Sequence, residues 1–260
     1  MIPNGSGLDR GRRVLVAGGA CEVGLAVGRS FVGQGDRVAI LDLSPPHVHD
    51  TAKCVGRNAI GIVADVCDPS AIRRALADLH ARWGGLDVLV YAVSFLGQEK
   101  STFLDMAVWS HVVDVNTRGA VVTCREGLRA LRAGASVGGR SRGRIVLLAS
   151  AAARDAETGL RPSLVLKLML AQVERVLGAE LEAVGIPVSV VVSPNDRHGA
   201  QTHEPHTPPK LQSLGDSGFA VRNWMLPRQR SCSSEIADAV SALCVQEVGG
   251  AAQTGRVFVD

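Results

Sequence analysis

The chain has 260 residues, 46% hydrophobic and 20% charged, with a net charge of +3. That length suits one large α/β domain with a full core and is short for two enzyme-sized domains; the apolar content excludes a disordered chain. Arginine is scattered, its densest run being 138–144, so no basic face for nucleic acid is expected. No apolar run reaches the roughly 18 residues of a membrane span, and no signal peptide is visible. The six cysteines have neither disulfide nor metal spacing. These features together suggest a cytoplasmic protein that handles a small molecule and holds no metal.

Aromatic residues make up only 3%, and Tyr91 is the single tyrosine. The core must then be aliphatic, as in parallel strands covered by helices on both faces. In chain order, residues 1–11 read as a flexible leader and 13–17 as a buried strand. A glycine-rich turn, Gly18–Gly24, leads to a helix ending at Gln34. Strands follow at 37–42 and 59–65, then a helix from Pro69 to about Trp83 and a strand at 87–93. A helix over 104–132 crosses to a strand at 143–149. A helix from Pro162 to about Val184 precedes a strand at 187–193; a helix at 234–246 and a strand at 255–259 close the pattern. Alternation of this kind predicts a Rossmann-type, doubly wound, mostly parallel sheet with helices on both faces, in one domain over 12–260. The long segment 195–231, with Pro205, Pro208, Pro209 and Pro227, breaks the rhythm and reads as a substrate lid.

A strand, a glycine turn and a helix place a pyrophosphate at a helix N-terminus. Glycines are needed where backbone approaches phosphate and where helix packs on strand. Gly18, Cys21, Val23 and Gly24 are the cofactor-binding candidates in this turn. Glu22 is expected to cap the helix and face solvent, since a carboxylate suits the first turn but would repel a phosphate. Asp42 ends the second strand, about twenty residues on, where an acid accepts from the adenosine ribose 2′-OH and repels a 2′-phosphate. With no arginine adjacent, NAD(H) is the expected cofactor.

The chain resembles the short-chain dehydrogenase/reductase family from about residue 11 to 260. Gly18 and Gly24 match the outer glycines of T-G-x-x-x-G-x-G, and Asp65-Val66 matches the pair beside adenine. The resemblance makes Asn116, Ser150 and Lys167 members of the catalytic set. Asn116, within Asp114-Val115-Asn116-Thr117, would support a water-linked proton relay. Ser150 would steady the substrate oxygen, and Lys167 would hold the nicotinamide ribose. Two departures stand out. The family's N-N-A-G is here Tyr91-Ala92-Val93-Ser94, and the tyrosine of Y-x-x-x-K is Ser163. A tyrosine with its pKa near ~10 can be tuned toward neutrality by a lysine; a serine is far less acidic and several atoms shorter. Ser163 at i and Lys167 at i+4 still share a helix face. Tyr91, in the strand bordering the cofactor, is expected to be structural filler. Asp155, Glu157, Asp196, His198, His203, Glu204 and His206 are other groups able to carry protons.

Three functions are compatible with this pattern. One is a divergent NAD(H)-linked oxidoreductase acting on a small alcohol or carbonyl with a replacement proton donor. Another is a non-redox isomerase, dehydratase or cyclase of specialised metabolism. The last is a catalytically silent partner. The apolar 162–184 helix, with 104–132, resembles the family's association surface and implies a homodimer or homotetramer.

Overall fold

The computed structural model describes residues 11–95, 106–136, 143–149, 162–192, 222–224, 232–245 and 255–259. The elements alternate: β1 (Arg13–Ala17), α1 (Glu22–Gly33), β2 (Arg37–Asp42), α2 (Pro45–Val55), β3 (Ala59–Val63), α3 (Pro69–Trp83), β4 (Val88–Tyr91) and α4 (Met106–Val113). A π-helical turn (Asp114–Arg118) joins α4 to α5 (Gly119–Ser136). Then come β5 (Arg144–Ala149), α6 (Pro162–Glu182), β6 (Val188–Val192), β7 (Arg222–Trp224), α7 (Cys232–Val245) and β8 (Gly255–Val259). The strands form one parallel sheet in the order β3-β2-β1-β4-β5-β6-β8-β7. This is the doubly wound Rossmann-type arrangement expected from the sequence.

Strand alternation divides the core into two layers. Leu15, Ala17, Leu89, Tyr91 and Leu147 face α3, α5 and α6, meeting Ile72, Leu79, Leu131 and Leu177. Val14, Val16, Ile40, Val90 and Val146 face the other way, onto Phe31 of α1, Val55 of α2 and Val240 of α7. Each fully buried aliphatic side chain contributes roughly 1.5–3 kcal/mol, which is why strands this short hold together with few aromatic residues.

Several elements differ from the sequence reading. Helix α2 is not expected from its largely polar sequence. Its signals are Pro45 in the first turn after Ser44 and inward-facing Val48, Ala52 and Val55 at i, i+4 and i+7. The expected single helix over 104–132 is two helices joined through the π-helical turn. The fourth strand is shorter than 87–93. Residues 222–224, inside the stretch read as irregular, pair with β8.

At the amino edge of the sheet β1 is tied to β4 by a buried ion pair. Asp87 Oδ2 accepts from the Arg13 backbone N–H and from its Nε, both at 2.8 Å, and Oδ1 accepts from Nη2 at 2.7 Å. Two further guanidinium hydrogens reach the carbonyls of Trp83, at 3.1 Å, and Gly134, at 2.9 Å. One side chain thereby joins β1, β4 and the C-terminal turns of α3 and α5. The two side chains are 5% and 9% exposed, so removing one partner strands a buried charge. Asp87→Ala is expected to lower stability by about 3–5 kcal/mol, measured as a fall in the urea midpoint at constant m-value.

Candidate functional site

In a doubly wound sheet, ligands bind beyond the carboxyl ends of the strands where the strand order reverses. Here that point lies between β1 and β4, whose last residues Ala17 and Tyr91 are register partners. The β1–α1 turn crosses this edge. Gly18 has φ +75° and sends its N–H to the Leu41 carbonyl at 2.8 Å. A side chain on Gly18 would begin 2.6 Å from the Val93 nitrogen, and one on Gly24 would begin 2.4 Å from the Gly19 carbonyl oxygen. Both glycines are therefore required by close backbone approach, and the turn is a cradle with no side chain in it at those points.

Cys21, rather than Glu22, caps α1. Its backbone is extended, and its Sγ accepts from Gly24 N–H at 3.4 Å while donating to the Gly18 carbonyl at 3.3 Å. Desolvation, with the nearby charges of Asp42 and Glu22, pushes this thiol up, so it stays neutral and does not oppose an anion. Glu22 is the first helical residue and is exposed. Its carboxylate accepts from the Ser233 hydroxyl of α7 at 2.8 Å, and so it braces α1 against α7. The Val23 and Gly24 amides face the Cys21 sulfur, while helix geometry leaves the Glu22 amide without an intrahelical acceptor, which suits a phosphate.

Asp42 stands at the end of β2. Its Oδ2 accepts from Ala20 N–H at 3.0 Å, and its Oδ1 from Leu43 N–H at 2.7 Å. A carboxylate has about four lone-pair sites, so the side chain can brace the turn and still receive sugar hydroxyls. Asp65, just beyond β3, is exposed, and its Oδ1 accepts from Cys67 N–H at 2.8 Å. The Val66 side chain is 8% exposed and belongs to the core. Of the pair, Asp65 is thus the one whose side chain is exposed.

Asn116 lies on the π-helical turn and is 1% exposed. Its Oδ1 accepts from Phe95 N–H at 3.0 Å, while its Nδ2 donates to the carbonyls of Phe95, at 2.6 Å, and Val112, at 2.7 Å. The side chain is a clamp on the segment following β4. The neighbouring Thr117 hydroxyl lies 4.0 Å from Met169 Sδ on α6, and this contact brings the turn against the helix that carries Ser163 and Lys167. Those two residues occupy the first turns of α6, one helical turn apart. Ser150, directly after β5, lies outside the described residues, as do Asp155, Glu157 and the stretches 195–221 and 225–231.

The sequence alone does not reveal the Asn116–Phe95 clamp, the Cys21 cap or the Glu22–Ser233 contact. Cysteine is an uncommon cap, and the other two contacts join residues far apart in sequence. Among the described residues, no cluster able to hold a metal ion occurs, no helix is long and apolar enough to cross a membrane, and Cys21, Cys54, Cys67, Cys124 and Cys244 are free thiols.

A family model described as short chain dehydrogenase matches residues 12–196, and the chain belongs to that family. It is 29% identical over 181 residues to sorbitol dehydrogenase of Cereibacter sphaeroides, covering 70% of this chain and 69% of that protein. Among solved structures, a metagenomic short-chain oxidoreductase in complex with NADP superposes with a TM-score of 0.67 at 20% identity, covering 96% of both chains. The NADH-dependent reductase A1-R′ complexed with NAD gives 0.67 at 19% identity, covering 95% of this chain and 94% of the other. At these identities the structural matches establish the fold.

Tyr91 Oη donates to the Val115 carbonyl at 2.6 Å, within the core. Burial pushes its ionisation well above the usual tyrosine value. An acid whose folded pKa is raised stabilises the fold below its unfolded pKa, near ~10, and loses that contribution as pH climbs through the folded value. Because the chain has one tyrosine, alkaline titration is unambiguous. Tyrosinate absorbance should appear together with loss of helical circular dichroism, and Tyr91→Phe should remove the absorbance change.

Proposed function

We propose that this protein is a nicotinamide-dependent oxidoreductase that prefers NAD(H) and acts on a small alcohol or carbonyl compound. The observation that carries the reading is the turn at Gly18–Gly24 with Asp42 beside it, in a chain of the short chain dehydrogenase family. The cradle left by Gly18 and Gly24, at the N-terminus of α1, fits a pyrophosphate. Asp42 would take the adenosine ribose hydroxyls and disfavour a 2′-phosphate. When bound, the nicotinamide supplies or accepts a hydride.

The chain's own residues would do the rest. Ser150 would hold the substrate oxygen. Lys167 would hold the nicotinamide ribose and place a positive charge near the reacting centre. Ser163 is too weak an acid to act as the family tyrosine does. The carbonyl-side proton would then pass through water ordered near Ser150, Ser163 and Lys167, or through a group such as Asp155. Assembly as a homodimer or homotetramer through α5 and α6 is part of the proposal, supported by the exposed Val121 and Val176 on those helices.

A non-redox reading, in which Ser150 and Lys167 polarise an oxygen in an isomerase, dehydratase or cyclase, is favoured by one observation, the serine at 163. The two readings are separated by turnover of a panel of small ketones and aldehydes with NADH. Ser163→Tyr is expected to raise turnover substantially, since a positioned acid contributes roughly 10²–10⁴-fold, and Lys167→Met to abolish the gain. Absence of dinucleotide binding and of turnover in both wild type and Ser163→Tyr would overturn the oxidoreductase reading.

A further inference from the structure

Tyr91 is the bulkiest fully buried side chain among the described residues, and it stands where the family's N-N-A-G begins. In an uninterrupted α-helix the Val115 carbonyl would accept the N–H of Gly119, four residues on. Here the Gly119 N–H reaches the Asp114 carbonyl instead, five residues back. The Val115 carbonyl is taken by the Tyr91 phenol at 2.6 Å. The released carbonyl is partly buried beside the buried phenol, where an unmade hydrogen bond is costly, so the phenol and the π-helical turn support one another.

The surroundings fit this reading. A side chain on Gly119 would begin 2.5 Å from Tyr91 Oη, so the glycine makes room for the phenol. The Cys67 thiol donates to the Asp114 carbonyl at 3.7 Å, adding a second brace to the same turn. Asn116, the residue after Val115, extends from the turn to both backbone groups of Phe95. Single π-helical turns inside α-helices frequently coincide with functional positions.

We propose that Tyr91 is a positioning residue: by holding the Val115 carbonyl it keeps the π-helical turn in place, and through Asn116 it holds the backbone after β4 at the edge of the cleft. In its consequence for turnover this rests on the oxidoreductase reading; in its structural part it does not. The lost strand-end asparagines are thus replaced by one side chain that reaches the helix instead.

The test uses the full chain with uniform ¹⁵N labelling and follows hydrogen exchange of the Asn116 side-chain amide together with that of the backbone amides. Tyr91→Phe keeps the ring and deletes only the hydroxyl. It is expected to speed exchange at Asn116 by about tenfold or more while the amides of β1 keep their wild-type rates, the signature of a local opening. Gly119→Ala, which displaces the phenol from the helix side, should have the same effect and decides the matter if Tyr91→Phe does not fold. Unchanged Asn116 exchange in the folded variants would overturn the proposal. NADH titration separates the two claims: if wild type binds NADH, Tyr91→Phe should bind within about twofold of it while kcat falls roughly tenfold with little change in KM. A proportionate loss of NADH affinity in Tyr91→Phe would place Tyr91 in cofactor binding and contradict the positioning role. If wild type binds no dinucleotide, the cofactor reading fails, and the exchange result still decides Tyr91.

Discussion

From Arg13 to Ala17 the first strand is buried, and both its ends are tied to the β4 segment. At the amino end, Asp87 receives three hydrogen bonds from Arg13. At the carboxyl end, Gly18 passes so close to Val93 that no side chain fits between them. The register of β1 against β4 is therefore held from both sides, and this register sets the geometry of the cleft. A slip of one residue would exchange the two core layers, sending Leu15 and Ala17 toward α1 and Val14 and Val16 toward α5. The β1–α1 turn and Asp42, which bonds to Ala20 in it, would lose their register together.

Much of this arrangement is readable in the chain. Runs such as RVLVA and RVAILD have the apolar continuity of strands buried on both faces. Glycines at 18 and 24, between such a strand and a helix, mark a turn where backbone must pass close to backbone or to phosphate. Asp42 is legible because its distance from the turn is set by one helix and one strand. Helix α2 escapes notice because its inward face is only three small residues in a polar sequence. The π-helical turn is not legible at all: a single displaced hydrogen bond leaves no mark on apolar periodicity. Its consequence, that Tyr91 bonds to Val115 rather than only filling space, depends on a contact between residues 24 apart in sequence.

The glycine turn and the Y-x-x-x-K region depart from the family's pattern to different degrees. The turn, its cap and the acid at the end of β2 form a set in which each member supports the next: Cys21 bonds to Gly18 and Gly24, and Asp42 bonds to Ala20. Such mutual support constrains substitution, and the chain keeps the two outer glycines, Gly18 and Gly24, while Glu22 stands in place of the middle one. In the proposed reading, the identity of residue 163 matters to proton transfer. A serine there would change the chemistry, while the strands and turn keep the family's fold. Fold and family membership therefore stand independently of how the proton is carried.

The central claim is that the cleft above β1 and β4 still takes a dinucleotide and that Asp42 selects it. Isothermal titration calorimetry with NADH and NADPH, on wild type and Asp42→Ser, tests this most directly. NADH should bind wild type at least about tenfold more tightly than NADPH, because the carboxylate repels a 2′-phosphate, and Asp42→Ser should narrow the gap. No heat of binding with either dinucleotide, or a preference for NADPH that Asp42→Ser leaves unchanged, would contradict the account.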